Sequence, residues 1–124
     1  MIAADTSSLV AYLQGVGGKD VDTLDIAAAA GELVLPPVVL TELLSDPKGG
    51  DLVKTKLLRI ELLELTEGFW QRAGEARSRL KRHGLKARIA DALIAQSCID
   101  HDVALITRDA DFRHFAKHCG LKLG

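Results

Sequence analysis

Four carboxylates interrupt stretches of this chain that are otherwise uncharged and largely apolar. Asp5 closes Met1–Ala4, and Glu42 follows the run from Leu33 to Thr41. Asp91 is the only charge between Arg88 and Asp100, and Asp109 comes two residues after Val103–Thr107. An ionised carboxylate withdrawn from water is costly unless it is paired or bound to a metal. Four such placements point to one shared solution, a divalent cation held at a common point. Carboxylate oxygens are hard donors, the kind that Mg²⁺ and Mn²⁺ prefer. Crowded acids also raise one another's pKa, so a site of this kind assembles fully only with its cation. The bland alternative for each acid is a helix cap or a turn residue. It is strongest for Asp109 and Asp111, because acids are common in turns. Glu42 has a bland reading as an exposed helical residue, whereas a helix as apolar as the one around Asp91 offers little exposed face.

The elements that must position these acids alternate along the chain. Met1–Ala4 reads as a strand, with Thr6 or Ser7 as N-cap of a helix through Leu13. Gly15–Gly18 ends that helix. A second helix is expected over 22–30, stopped by Gly31. Strand 32–35 runs into Pro36-Pro37, which pre-set a helix carrying Val39, Leu40, Leu43 and Leu44. A turn at 46–50 leads to a helix ending near Leu58. Strand 60–65 is followed by a long amphipathic helix from Thr66 or Glu67 toward Arg82. The stretch 88–99 reads as a buried helix. Strand 103–107, a short helix 112–118 and a last strand 121–123 complete the chain. This alternation predicts a parallel sheet covered on both faces, within a single domain spanning 1–124. In such sheets ligands collect beyond the carboxyl ends of the strands, where Asp5 and Asp109 fall.

Composition narrows the function classes. The formal net charge of −1 excludes a globally basic nucleic-acid binder, so any such binding must be local. No apolar run reaches the roughly 20 residues of a membrane span, and no signal peptide is readable, so a cytoplasmic protein without membrane association is expected. Cys98 and Cys119 form no C-x-x-C pair and read as two buried thiols.

Four segments together resemble the signature motifs of PIN-domain ribonucleases and, within them, the VapC-type toxins of toxin–antitoxin pairs. They are Asp5-Thr6-Ser7, Leu35–Leu43, Arg88–Ala95 and Leu105–Phe112, in order and spread over the whole chain. The resemblance implies a three-layer α/β/α sandwich on a central, mostly parallel sheet. It also implies Mg²⁺- or Mn²⁺-dependent endoribonuclease activity, a homodimer, and inhibition by a small antitoxin protein. Asp5, Glu42 and Asp91 match the first three family acids. The fourth falls on Asp109, with Asp111 as a further candidate ligand. Thr6 matches a hydroxyl residue that supports the site, and Thr107 would orient the end of its strand. Val10, Leu13, Leu40, Leu43 and Leu44 offer more apolar side chains than one sheet face needs: they read either as a groove for a partner tail or as core and homodimer interface.

Arg77, Arg79, Lys81, Arg82, Lys86 and Arg88 form a run without an acid. They would steer RNA phosphates toward an acidic crevice that otherwise repels them. Their bland reading is a helix C-terminus favoured by the macrodipole. His114 and His118 have a zinc-compatible spacing, but Phe115 stands where the zinc-hydrolase motif needs Glu, and surface histidines are the better account. Gly15–Lys19 lacks the residues of a phosphate loop. Two other functions fit the acids: a PIN nuclease working in RNA processing outside a toxin–antitoxin pair, and a non-catalytic metal-binding module of receiver type. The second needs a Lys at a late strand end, where Arg108 stands.

Overall fold

The computed structural model describes residues 1–124. The tripeptide Ile2–Ala4 is β1, and it lies inside a four-stranded sheet ordered β3-β2-β1-β4. Its neighbours are β2 (Leu33–Leu35), β3 (Glu61–Leu62) and β4 (Ala104–Ile106). Every pairing is parallel. Ile2 sits opposite Leu33 on one side and Ala104 on the other, and Ala4 opposite Ile106. A strand flanked on both edges and covered on both faces has no room for polar alternation. Ala3 and Ala4 are accordingly fully buried.

The helices are α1 (Thr6–Leu13), α2 (Lys19–Ala29), α3 (Pro37–Leu44), α4 (Asp51–Leu57), α5 (Phe69–Arg82), α6 (Ile89–His101) and α7 (Phe112–Cys119). They form the outer layers of a three-layer α/β/α sandwich. α1 packs on α2, while α5, α6 and α7 make a second cluster, which α3 joins through α6. Pro37 occupies the first turn of α3, where its missing N–H costs nothing. α6 ends on Asp102 in the left-handed region (φ 54°), the one non-glycine residue there. α5 and α6 lie antiparallel: Arg72 near the start of α5 grips Asp100 near the end of α6, and Arg77 donates to the Ala87 carbonyl before α6 begins. No helix is long and apolar enough to cross a membrane.

Several sequence expectations shift. The residue at the N-cap of α1 is Asp5, not Thr6 or Ser7: its carbonyl accepts the Leu9 N–H, while its side chain makes no capping bond. α2 starts three residues early, at Lys19. Leu121–Leu123 makes only a single parallel bridge, Leu105 to Leu123, rather than a strand. α6 is not buried all round, since Ile89 in its first turn is 63% exposed. The helix buries Ala92 and Ile94–Cys98 and leaves Asp91 half-buried.

The order β3-β2-β1-β4 runs outward from β1 in one direction and then returns to its other side. The switch therefore lies between β1 and β4, whose carboxyl ends carry Asp5 and Thr107–Asp109. That is the place where open parallel sheets bind ligands.

Candidate metal centre

Asp5 is anchored before its side chain is considered, because its N–H continues the ladder to the Ile106 carbonyl at 2.9 Å. The carboxylate is 95% buried yet well satisfied. Thr107 Oγ1 donates to Asp5 Oδ2 at 2.7 Å, and Ser7 Oγ donates to the same oxygen at 3.1 Å. Each hydroxyl spends its one proton on Asp5 and uses a lone pair on the strand-end backbone. The Arg108 N–H donates to Ser7 Oγ and the Asp109 N–H to Thr107 Oγ1, both at 3.0 Å. Two hydroxyls thus lock the ends of β1 and β4 together and leave Asp5 Oδ1 free of side-chain partners.

Beyond this lock, Asp91, Asp109 and Asp111 present carboxylate oxygens within 4.8 Å of one another. No other group of three His, Cys, Asp or Glu side chains does so. Asp109 Oδ1 accepts the Asp111 N–H at 2.9 Å, an Asx-type turn that aims both acids from one short loop. Asp91 comes from the first turn of α6, where the positive end of the helix dipole favours an anion. Glu42, exposed on α3, is held by Thr6 Oγ1 at 2.9 Å. Neither Asp5 nor Glu42 belongs to the tight triplet, but the charge of both reaches it. The Asp91 carboxyl is pushed up to about 6, first by burial, then by the negative charges of Asp109 and Asp5, with Glu42 adding and Arg88 opposing. Burial and neighbouring negative charge both oppose ionisation of Asp91, and a divalent cation among these oxygens would offset the second. The donor set, all carboxylate oxygen, fits Mg²⁺ or Mn²⁺.

Ser7, Ser8, Asp20 and Arg108 also belong to this framework; Ser7 and Arg108 lie within the motif segments without a site role assigned from sequence, and Ser8 and Asp20 lie outside them. Arg108 forks onto Asp20 through Nε (2.5 Å) and Nη2 (3.0 Å), Ser8 Oγ donates to Asp20 at 2.9 Å, and Arg108 Nη2 reaches the Gly17 carbonyl at 3.2 Å. The guanidinium holds the Asp20 carboxyl well below the usual carboxylate range. One residue before Asp109, the loop is thereby tied to α1 and α2. Arg108→Ala and Asp20→Ala should each speed amide exchange at Arg108 and Asp109. The double variant should add nothing to either, because the pair acts as a unit. Additive effects would mean that the two residues act separately.

The basic run divides. Arg79 donates to the His118 carbonyl, and Arg77 to that of Ala87. Lys86 lies 3.9 Å from Asp111, and Arg88 caps α6 beside Asp91. His118 stacks on His83, ring centroids 4.1 Å apart, instead of converging with His114 on a metal. Cys98 is buried, its thiol pushed up to about 12 by desolvation, while Cys119 is half-buried. A cavity of about 650 Å³ opens between α1, α2 and β3 beside Tyr12, Ala28 and Ile60, and none of the candidate acids lines it.

The family model described as "PIN domain" matches residues 2–118. Among solved structures, the fold is similar to that of VapBC2 from Rickettsia felis bound to a DNA fragment from its promoter, with a TM-score of 0.78, 24% identity, and coverage of 100% of this chain and 98% of that one. It is similar also to VapBC-1 from nontypeable Haemophilus influenzae, with a TM-score of 0.73, 21% identity and coverage of 100% and 97%. VapBC-5 from Mycobacterium tuberculosis, a member of the VapBC family of toxin–antitoxin systems, gives a TM-score of 0.69, 19% identity and coverage of 98% and 95%. At these identities the likeness is one of fold. No curated protein matches.

Proposed function

This chain belongs to the PIN-domain family, and from that premise we propose that it is a Mg²⁺- or Mn²⁺-dependent endoribonuclease acting as the toxin of a toxin–antitoxin pair. The observation that carries the reading is the acid cluster at the β1–β4 switch. Asp91, Asp109 and Asp111 have oxygens within 4.8 Å of one another, and the charges of Asp5 and Glu42 bear on them. A bound divalent cation supplies an acidified water and neutralises the charge that gathers on the phosphodiester as it is cut.

Asp5, Asp91, Asp109, Asp111 and Glu42 offer the oxygens that hold the cation. Ser7 and Thr107 keep Asp5 from turning away, and Thr6 does the same for Glu42. The Asp91 carboxyl, raised first by burial and then by the neighbouring carboxylates, would lose its proton more readily with a cation bound, because the cation would offset that negative charge. Lys86 and Arg88, at the rim, offset the field that would repel RNA. No histidine or serine nucleophile is needed.

The toxin role is supported by the neighbours in fold, which are named as VapBC assemblies. A partner tail is expected over α1 and α3, where Val10, Leu13, Leu40 and Leu43 are half-buried and Leu44 is exposed. An Arg of the partner entering the crevice would compete with the cation for the carboxylates. Co-purification with a small DNA-binding protein encoded beside this chain should yield a complex inert toward RNA. Charge reversal of the inserted Arg should restore cleavage without releasing the partner. A partner bound with the acids still open to cation, and cleavage unimpaired, would contradict the toxin assignment.

A further inference from the structure

The outward stripe of α5 carries a charge with no partner. Gly74, Arg77, Ser78, Lys81 and Arg82 line a shallow groove of about 400 Å³ that contains no apolar residue. Gly74 and Ser78, one turn apart, are among its lining residues, and Arg82 Nη1 donates to Ser78 Oγ at 3.0 Å. A Cβ on Gly74 would meet nothing within 4 Å, so the groove is open there. The opposite stripe of the helix, Phe69, Ala73, Ala76 and Leu80, is buried against the body of the protein. Of the basic run, only Lys86 lies within ion-pair distance of a carboxylate, so Arg77, Lys81 and Arg82 are uncompensated. The one acid of α5, Glu75, lines a separate cleft with Arg72 and Arg79 and makes no ion pair with a groove cation. The groove also has a fixed relation to the acids, because Arg77 Nε holds the Ala87 carbonyl at 2.8 Å, four residues before Asp91.

We propose that this groove is a phosphate-backbone subsite that holds the single-stranded RNA flanking the bond to be cut. The inference rests on the nuclease reading and extends it. Three cations along a polar, aromatic-free trough suit a polyphosphate chain gripped by charge without base readout. They sit at the end of the α5–α6 hairpin that presents Asp91. A chain lying in the groove would therefore arrive at the acids already neutralised along one flank.

The test uses the intact protein and a labelled single-stranded RNA of about 20 nucleotides, longer than one binding site of this kind requires. Fluorescence anisotropy is measured in chelator over a salt series, and cleavage is measured separately with Mn²⁺. Lys81→Glu/Arg82→Glu should weaken binding at least about tenfold. Lys81→Gln/Arg82→Gln should lower the salt slope by about 1.4, the value for two single-strand phosphate contacts. In the same variants KM for the long RNA should rise with kcat unchanged, while a tetranucleotide too short to reach the groove is cut as before. Unchanged anisotropy and salt slope in both folded variants overturn the subsite, even if the unaltered protein cleaves RNA normally. Equal loss on long and short substrates also overturns it, because that result means a disturbed centre. If the variants lose binding to phosphatidylcholine–phosphatidylglycerol vesicles but keep RNA, the groove is a membrane contact and the proposal fails. If the unaltered protein binds RNA through the groove yet cuts none with Mn²⁺, the subsite stands and the nuclease reading falls.

Discussion

Asp91→Asn is expected to lower RNA cleavage at least about 10²-fold, the lower end of what a lost electrostatic contact to the reacting centre costs. The substitution keeps the shape of the side chain and removes its charge. The same change should not weaken the metal-free fold. The Asp91 carboxyl is raised from 3.8 to about 6, so the folded state holds its proton more tightly than the unfolded chain does. Between those values stability falls as pH rises, and above about pH 6 the whole penalty is present. Asn carries no such penalty. Metal-free Asp91→Asn should then be more stable than the parent at pH 7.5 by about 1 kcal/mol once solvent screening is allowed for. At pH 4 the two should be nearly equal. Denaturant unfolding in chelator at both pH values reads this out. A variant that unfolds readily while still binding cation would make Asp91 a structural residue.

Chelation should have the larger effect. Cleavage is expected to disappear in excess EDTA and to return with Mg²⁺ or Mn²⁺, because the proposed reaction needs the cation to acidify its water. Cation affinity should also weaken as pH falls below about 6, by roughly tenfold per unit, since one proton on Asp91 must leave for each ion bound. Full cleavage in EDTA, measured on protein stripped of metal beforehand, would remove the cation from the account.

The isolated acids were legible in the sequence because charge inside apolar runs demands a reason. Asp5, Asp91 and Asp109 stood out by that test alone, and the strand–helix alternation around them gave the layered fold. Their convergence was not legible, since it depends on β4 returning to pair with β1 across a hundred residues. The supporting hydroxyls show the same limit at short range. Thr6 directly follows Asp5 but bonds Glu42, while Ser7, about 100° further round the helix, bonds Asp5. Arg108 and Asp20 lie 88 residues apart and share no periodicity, so their fork is a product of the fold alone. The basic run looked uniform in one dimension. In three, its members divide between the α7 end, the loop before α6, the rim of the acids and the α5 groove. Leu121–Leu123 had the apolar pattern of a strand, yet only one bridge to Leu105 forms.

The central claim is that these carboxylates hold a divalent cation needed for cleavage, and calorimetric titration of Mn²⁺ into the stripped protein at pH 7.5 tests it most directly. A saturable heat, with binding weakened at least about tenfold in Asp91→Asn, is predicted, consistent with the loss of one charged ligand. No binding in the parent protein, or equal binding in parent and variant, would contradict it.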